Sequence, residues 1–270
     1  VLVSNISSGQ SPHQHEDDAH AHPRPPSDGE RSPSGHVPPD PPQTMLGEMS
    51  NERMIELMGM DDRAPHTMVA FDQLEWREVR DDDALAWDAY VWFGGDYDKV
   101  RFKTEGTYVD ADYAARHELL WDRVVSRWWS VQAGVRYDES EGPSRTWFAI
   151  GLQGLAPYWF EVEATAYIGD EGRTALRTSV EWNLLLTQRL ILTPEIELTM
   201  YGKEDRANRL GSGLAEVELG LRLRYEVRRE FAPYVGVQWT RLNGATAEFA
   251  QAAGRDEDEA QAVAGVRVWF

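Results

Sequence analysis

The stretch PSRTWFAIGLQGLAPYWFEVEATAYIGDEGRT, Pro143 to Thr174, decides the fold. It holds two alternating runs joined by a tight break at Gly154-Leu155-Ala156-Pro157. In the second run Phe160, Val162, Ala164, Ala166 and Ile168 point one way, and Trp159, Glu161, Glu163, Thr165 and Tyr167 the other. The first run sets Phe148, Ile150 and Leu152 against Arg145, Trp147 and Gln153 in the same manner. Strict period-2 alternation is the pattern of a strand with one apolar and one polar face. An acidic turn, Gly169-Asp170-Glu171-Gly172, then restarts the pattern. What has to be decided is the solvent that each face meets.

Working outward, the alternation holds from about Met68 to Phe270. Val69 and Phe71, then Leu74 and Trp76, suggest a first strand with a phase break near Asp72. Leu85, Trp87, Ala89, Val91 and Phe93 oppose Asp88, Tyr90 and Trp92, and Leu119 and Trp121 oppose Glu118 and Asp122. Beyond the opening pair, Ile196, Leu198 and Met200 oppose Glu195, Glu197 and Tyr201, and Val217, Leu219, Leu221 and Leu223 oppose Glu216, Glu218, Arg222 and Arg224. The whole run reads as about twelve strands, an even number as single-chain outer-membrane barrels have. Short connections such as Gly94 to Lys99 and Gly154 to Tyr158 alternate with acidic ones, including Asp81-Asp82-Asp83, Asp110 to Asp112 and Glu204-Asp205, which are expected to be longer loops.

Composition narrows the solvent question. The chain has 270 residues, no cysteine and a net charge of -19. Such acidity argues against nucleic-acid binding. Without cysteine, a metal must be held by His, Met, carboxylate or backbone. Mean hydropathy is -0.54, and no apolar run is long enough for a membrane helix. A membrane β-barrel stays open, because alternation averages its hydropathy away. Eleven Trp and ten Tyr suit the aromatic girdles of such a barrel. A soluble β-sandwich or lipocalin-like barrel would alternate too, with apolar residues inside and charges out, which alternation alone does not distinguish. The terminal run Ala262, Ala264, Val266, Val268 and Phe270 favours the membrane. The expectation is therefore an all-β, antiparallel up-and-down transmembrane β-barrel over residues 67–270.

Residues 1–66 are expected to be a disordered tail. Pro, Ser, Asp and Gly dominate it, and such a segment buries too little apolar area to offset its ordering entropy. Six of the seven histidines fall at or before His66 and six of the seven methionines at or before Met68. His13 and His15, and His20 and His22, form two H-x-H pairs separated by Glu16, Asp17 and Asp18. Met45 and Met49, or Met54 and Met58, would share a face of a short helix ending near Met60. Val1 to Gln10 has neither a basic start nor a long apolar core, so in an exported protein the numbering would begin at or near a cleavage point.

FDQLEW (Phe71 to Trp76), WDAYVWFGGD (Trp87 to Asp96), KTEG (Lys103 to Gly106), QAGVRYD (Gln132 to Asp138) and the opening stretch through Gly169 resemble the copper-resistance protein B family of Gram-negative bacteria. So do LLLTQRLILTPEIE (Leu184 to Glu197), YGKED (Tyr201 to Asp205), Gly211 to Arg241 and AGVRVWF (Ala264 to Phe270). The resemblance implies an outer-membrane barrel, encoded with periplasmic copper-handling partners, that helps cells tolerate copper. The family's N-terminal region is His- and Met-rich, and this tail is similar in kind but has no tandem Met-x-x-Met array.

Copper fits these residue types, since imidazole suits Cu(II) and the soft thioether suits Cu(I). His13, His15, His20, His22, Met45, Met49, Met54, Met58 and Met60 are the candidate ligands, on a tail that an even strand count puts in the periplasm. The alternative for the methionine segment is an amphipathic helix plugging the barrel mouth. Glu161, Glu163, Glu195, Glu197, Glu216 and Glu218 are expected to face the lumen in a salt-bridge network, with an ion path as the alternative. His117 and Met200 fall on the lipid face by phase. With one barrel histidine and no nucleophile motif, no enzyme is expected. The functional expectation is copper capture by the tail and gating or passage by the barrel. Its rivals are a closed barrel that only anchors the tail and a nonspecific porin.

Overall fold

The computed structural model describes residues 65–79, 82–109 and 112–270. These form β1 (His66–Val79), β2 (Asp82–Gly94), β3 (Asp98–Val109), β4 (Asp112–Val124), β5 (Trp129–Glu139), β6 (Arg145–Ala156) and β7 (Phe160–Gly169). There follow β8 (Thr174–Trp182), β9 (Leu184–Leu185), β10 (Leu190–Tyr201), β11 (Gly213–Tyr225), β12 (Phe231–Leu242), a helix α1 (Gly244–Ala252) and β13 (Asp258–Trp269). Each strand pairs antiparallel with its neighbour, and β13 returns to pair with β1 from Trp269 against Ala70 to Val263 against Arg77. The two-residue β9 continues β8 past Asn183, and both pair with β10. The described residues thus close into a barrel of twelve staves with no free sheet edge.

The distribution of burial settles which solvent each face meets. Glu75, Glu118, Asp122, Gln132, Arg136 and Arg222 are buried in the lumen. Leu119, Ile150, Val235 and Val237 stand outside, each at least half exposed. A soluble barrel has the opposite arrangement. An apolar band running round every stave is matched to hydrocarbon, whereas in water it would be a large aggregation surface. The hairpin β6–β7 follows the rule, with Ile168 outside and Trp147, Thr165 and Tyr167 inside.

The two ends differ. At one end the links are residues 95–97, 125–128, 157–159, 186–189 and 226–230, all short, and His66 and Trp269 lie at this end too. Tyr158 and Trp159 both sit at a φ of 67° there, with side chains 80% and 66% exposed. Trp159 packs edge-on against Trp128 with ring centroids 5.7 Å apart. Aromatics crowded at the rim are the girdle expected at a membrane interface. At the opposite end the expectation of uniformly longer loops needs correction. Only two residues link β1 to β2 and β3 to β4, because strand pairing runs on through the acidic positions, as in Val109 against Asp112. Length is concentrated in residues 202–212 and in 243–257, which carry α1.

The phase break at Asp72 is a β-bulge, with register shifting between Phe71 and Leu74 against β13 and between Phe71 and Gln73 against β2. A bulge re-aims the side chains around it. Here Asp72 Oδ1 meets Arg267 at 2.8 Å, and Gln73 and Glu75 enter the lumen together.

Candidate functional site in the lumen

The lumen is divided by one side chain. Arg222 on β11 is buried and donates to four residues on three strands. Its Nε reaches Glu75 Oε2 at 3.1 Å, and its Nη1 reaches Glu195 Oε2 at 2.8 Å. Its Nη2 lies 3.1 Å from Glu75 Oε1, 3.1 Å from Gln73 Oε1 and 3.3 Å from Gln238 Oε1. Glu75 also accepts from Arg77 Nε at 2.7 Å and from the Tyr234 hydroxyl at 2.9 Å. A buried charge is tolerable only when paired and hydrogen-bonded in this way. Two glycines make the room. A Cβ at Gly220 would stand 2.6 Å from Arg222 Nη1, and one at Gly265 would stand 2.7 Å from both Glu75 Cβ and the Tyr234 ring.

A chamber of about 460 Å³ opens on the long-loop side of this hub, and one of about 70 Å³ lies on the short-turn side. Both are lined by Gln73, Asp88, Glu195 and Arg222. The hub is therefore the partition between them. Among the described residues no hydrogen bond or ion pair ends on Asp88, which faces both chambers.

Nine carboxylates and six arginines line the larger chamber. Glu195, Glu197, Glu216 and Glu218 are among them. Glu197 and Glu218 are direct cross-strand partners, an arrangement of like charges that destabilises a sheet unless it is compensated. Arg177 supplies part of the compensation by gripping Glu197 with Nε and Nη2 and meeting Glu105 at 2.7 Å. Gln238 donates to Glu218 at 2.7 Å. Glu161 and Glu163 are placed apart from these four and line neither chamber. Glu163 accepts from Lys103 across the lumen at 2.6 Å, and Glu161 from Asn183 at 3.2 Å. The register also sets Glu161 opposite Glu181 and Glu181 opposite Glu195.

Across the lumen a packed cluster fills part of the space, with Arg136 and Trp147 bordering the chamber. Leu120, Trp147, Ala149, Tyr167 and Ala175 form a buried cluster. The Tyr167 hydroxyl donates to Glu118 at 2.7 Å, and the Arg136 guanidinium lies 4.4 Å above the Tyr167 ring. Arg136 pairs with Asp138 at 2.6 Å, and Trp147 Nε1 donates to Asp138 at 2.9 Å. At the mouth, Arg145 grips Asp205 through Nε at 2.8 Å and Nη2 at 3.2 Å. Asn208 donates to the same carboxylate at 3.0 Å. The Arg145 hydrogen bonds hold the Asp205 carboxyl down to about 2. This pins the 202–212 loop, whose Asn208 and Leu210 line the chamber.

His13, His15, His20, His22, Met45, Met49, Met54, Met58 and Met60 lie outside the described residues. Among the described residues no group of three or more His, Cys, Asp or Glu is disposed to hold a metal ion. His117 faces outward and stacks on Phe102 with centroids 6.2 Å apart, and Met200 sits on the outward phase of β10. Sequence reasoning passed over the hub itself. The available signal was an inward glycine, Gly220, two positions before an inward arginine, beside the phase break at Asp72.

Known proteins supply an independent comparison. Residues 66–270 match the family model described as copper resistance protein B precursor. Copper resistance protein B of Escherichia coli is 41% identical over 233 residues, covering 86% of this chain and 79% of that protein. The copper resistance protein B homolog of Pseudomonas syringae pv. tomato is 46% identical over 210 residues, covering 77% of this chain and 71% of the homolog. Among solved structures the NanC porin aligns with a TM-score of 0.49 at 14% identity, over 75% of this chain and 99% of its own.

Proposed function

The chain belongs to the copper resistance protein B family, and from that premise we propose that it binds copper at the outer membrane and contributes to copper resistance. In this reading residues 1–66 are a periplasmic tail. His13, His15, His20 and His22 take Cu(II), and Met45, Met49, Met54, Met58 and Met60 take Cu(I). The barrel then gates or passes the ion, with outer-membrane lipid around it and periplasmic copper-handling proteins as partners. The role is binding and transfer, with no catalytic step.

The observation that carries the barrel's part is the carboxylate excess of the larger chamber, which attracts cations into a confined low-dielectric space. The partition at Arg222 argues against a nonspecific porin. Deleting residues 1–65 should lower the copper bound per chain in metal analysis of the purified protein. Unchanged stoichiometry would refute the tail's role. The same partition favours a second reading, in which the barrel is a closed anchor and only the tail acts. Copper flux into proteoliposomes separates the two, since flux no greater than in empty liposomes favours the anchor.

A further inference from the structure

We propose that Arg222 is the movable plug of the lumen, and that Asp88 and Glu195 are the carboxylates that carry a cation past it once it swings aside. This rests on the reading that the lumen is a path. The argument begins with position. Arg222, Glu195, Gln73 and Asp88 are the residues common to the linings of both chambers, so a solute crossing between these chambers must pass them. A guanidinium fixed in a narrow bore repels cations as well as filling it.

The second step is charge. Within the hub Arg222 and Arg77 balance Glu75 and Glu195, while Asp88 stands outside the balance and faces both sides. A divalent cation arriving from the large chamber meets Asp88 and Glu195 together. Binding there competes for the Glu195 oxygen that Arg222 Nη1 holds. Losing that bond leaves Arg222 attached to β1 and β12 only, through Glu75, Gln73 and Gln238. The guanidinium is then held from the β1 and β12 side alone, and the side chains left facing the bore between β10, β11 and β2 are the carboxyl groups of Asp88 and Glu195. The cation to be admitted would itself displace the plug.

The third step is space. The inward position two residues along β11 is Gly220, against whose Cα hydrogens Arg222 Nη1 already packs. A Cβ there would stand 2.6 Å from Nη1 and push the guanidinium off its partners, so glycine is what lets the plug seat.

The test is single-channel recording in planar bilayers, with K⁺ as the probe ion and heat-modifiable gel mobility as the check of folding. Wild type should be silent or open rarely. Glu75→Gln with Arg222→Gln removes one charge of each sign and should give lasting cation-selective openings. Adding Asp88→Asn to that pair should shift the reversal potential toward zero selectivity. Glu195→Gln alone, which leaves the Arg222–Glu75 pair intact, should raise open probability by about tenfold or more, the size expected when one charge-assisted hydrogen bond is lost from one of two states. Folded variants that stay silent would overturn the proposal, and so would a wild type that conducts as freely as the double variant. Copper entry into liposomes, measured on the same double variant, separates the two levels. A variant that conducts K⁺ and excludes copper leaves the plug standing and refutes the copper path.

Discussion

On the β4–β8 side of the lumen Leu120, Trp147 and Tyr167 fill part of the bore, and Glu118 and Arg136 are each held by a neighbour in that packing. On the side formed by β10 to β13 with β1 and β2, carboxylates outnumber their partners and line open space. The two halves have the same alternation and the same antiparallel pairing. They differ in what the inward positions do: Leu120, Trp147 and Tyr167 pack together in one half, and Glu195, Glu197, Glu216 and Glu218 line the chamber in the other. One half is a core built inside a membrane barrel, and its stability follows from packing and satisfied polar groups. The other keeps like charges together, as at Glu197 and Glu218, which a purely structural lumen has no reason to do. A barrel can afford an open half because the packed half and the closed hydrogen-bond ladder stabilise the whole.

The largest test of this contrast is Trp147→Ala. Trp147 is 3% exposed, donates to Asp138 and lies under Arg136 with its ring 5.8 Å from the guanidinium. Its loss should cost about 3–5 kcal/mol, the range for emptying a buried aromatic site. The measurement is the urea midpoint in detergent or lipid, followed by tryptophan fluorescence and gel mobility. A loss below about 1 kcal/mol would mean that the packed half is not the stabilising one.

A smaller effect belongs to the mouth, which the packed half also holds, since Arg145 precedes Trp147 on β6. The Asp205 carboxyl is lowered from 3.8 to about 2. A carboxyl whose folded pKa lies below its unfolded one contributes stability that is complete above the unfolded value and lost as the pH falls through the folded one. The gain of wild type over Asp205→Asn should therefore be present at about pH 5, mostly lost by about pH 2 and gone below it. Its size should be about 1 kcal/mol, after discounting for water at the barrel mouth. A difference between the two proteins that does not change with pH would show that Asp205 acts by shape alone.

How much of this was legible beforehand depends on the period of the signal. Faces of the β6–β7 hairpin, the bulge at Asp72 and the outward phase of His117 follow from period 2, which local sequence displays. The extent of β1 to β4 did not, because acidic runs such as Asp81-Asp82-Asp83 look like loop while the ladder continues almost to the turn. Helix α1 went unseen in GATAEFAQA. Its buried residues Thr246, Ala247 and Ala250 are small, and it packs as a cap on the loop end with Thr246 Oγ1 accepting from Gly211 N–H at 2.8 Å. Arg222 was read as one more inward charge. Its rank comes from Glu75, 147 positions away in sequence, and only closure of the barrel brings the two together.

The smallest effect on stability should be the most informative about the open half. Among the described residues no hydrogen bond or ion pair ends on Glu216, although it lines the large chamber beside Glu218. Glu216→Gln keeps the shape, removes one charge and relieves repulsion from its neighbour. Stability should change by no more than about 0.5 kcal/mol, with any shift toward greater stability. If the chamber serves cations, the same substitution should weaken cation preference in the opened Glu75→Gln, Arg222→Gln background, read as a smaller reversal potential across a K⁺ gradient. A strongly destabilised Glu216→Gln would mean that the carboxylates of this half are structural after all, and the two halves would then be variants of one packing. A stable protein with an altered reversal potential would keep them distinct, one half holding the barrel together and the other addressing the ion.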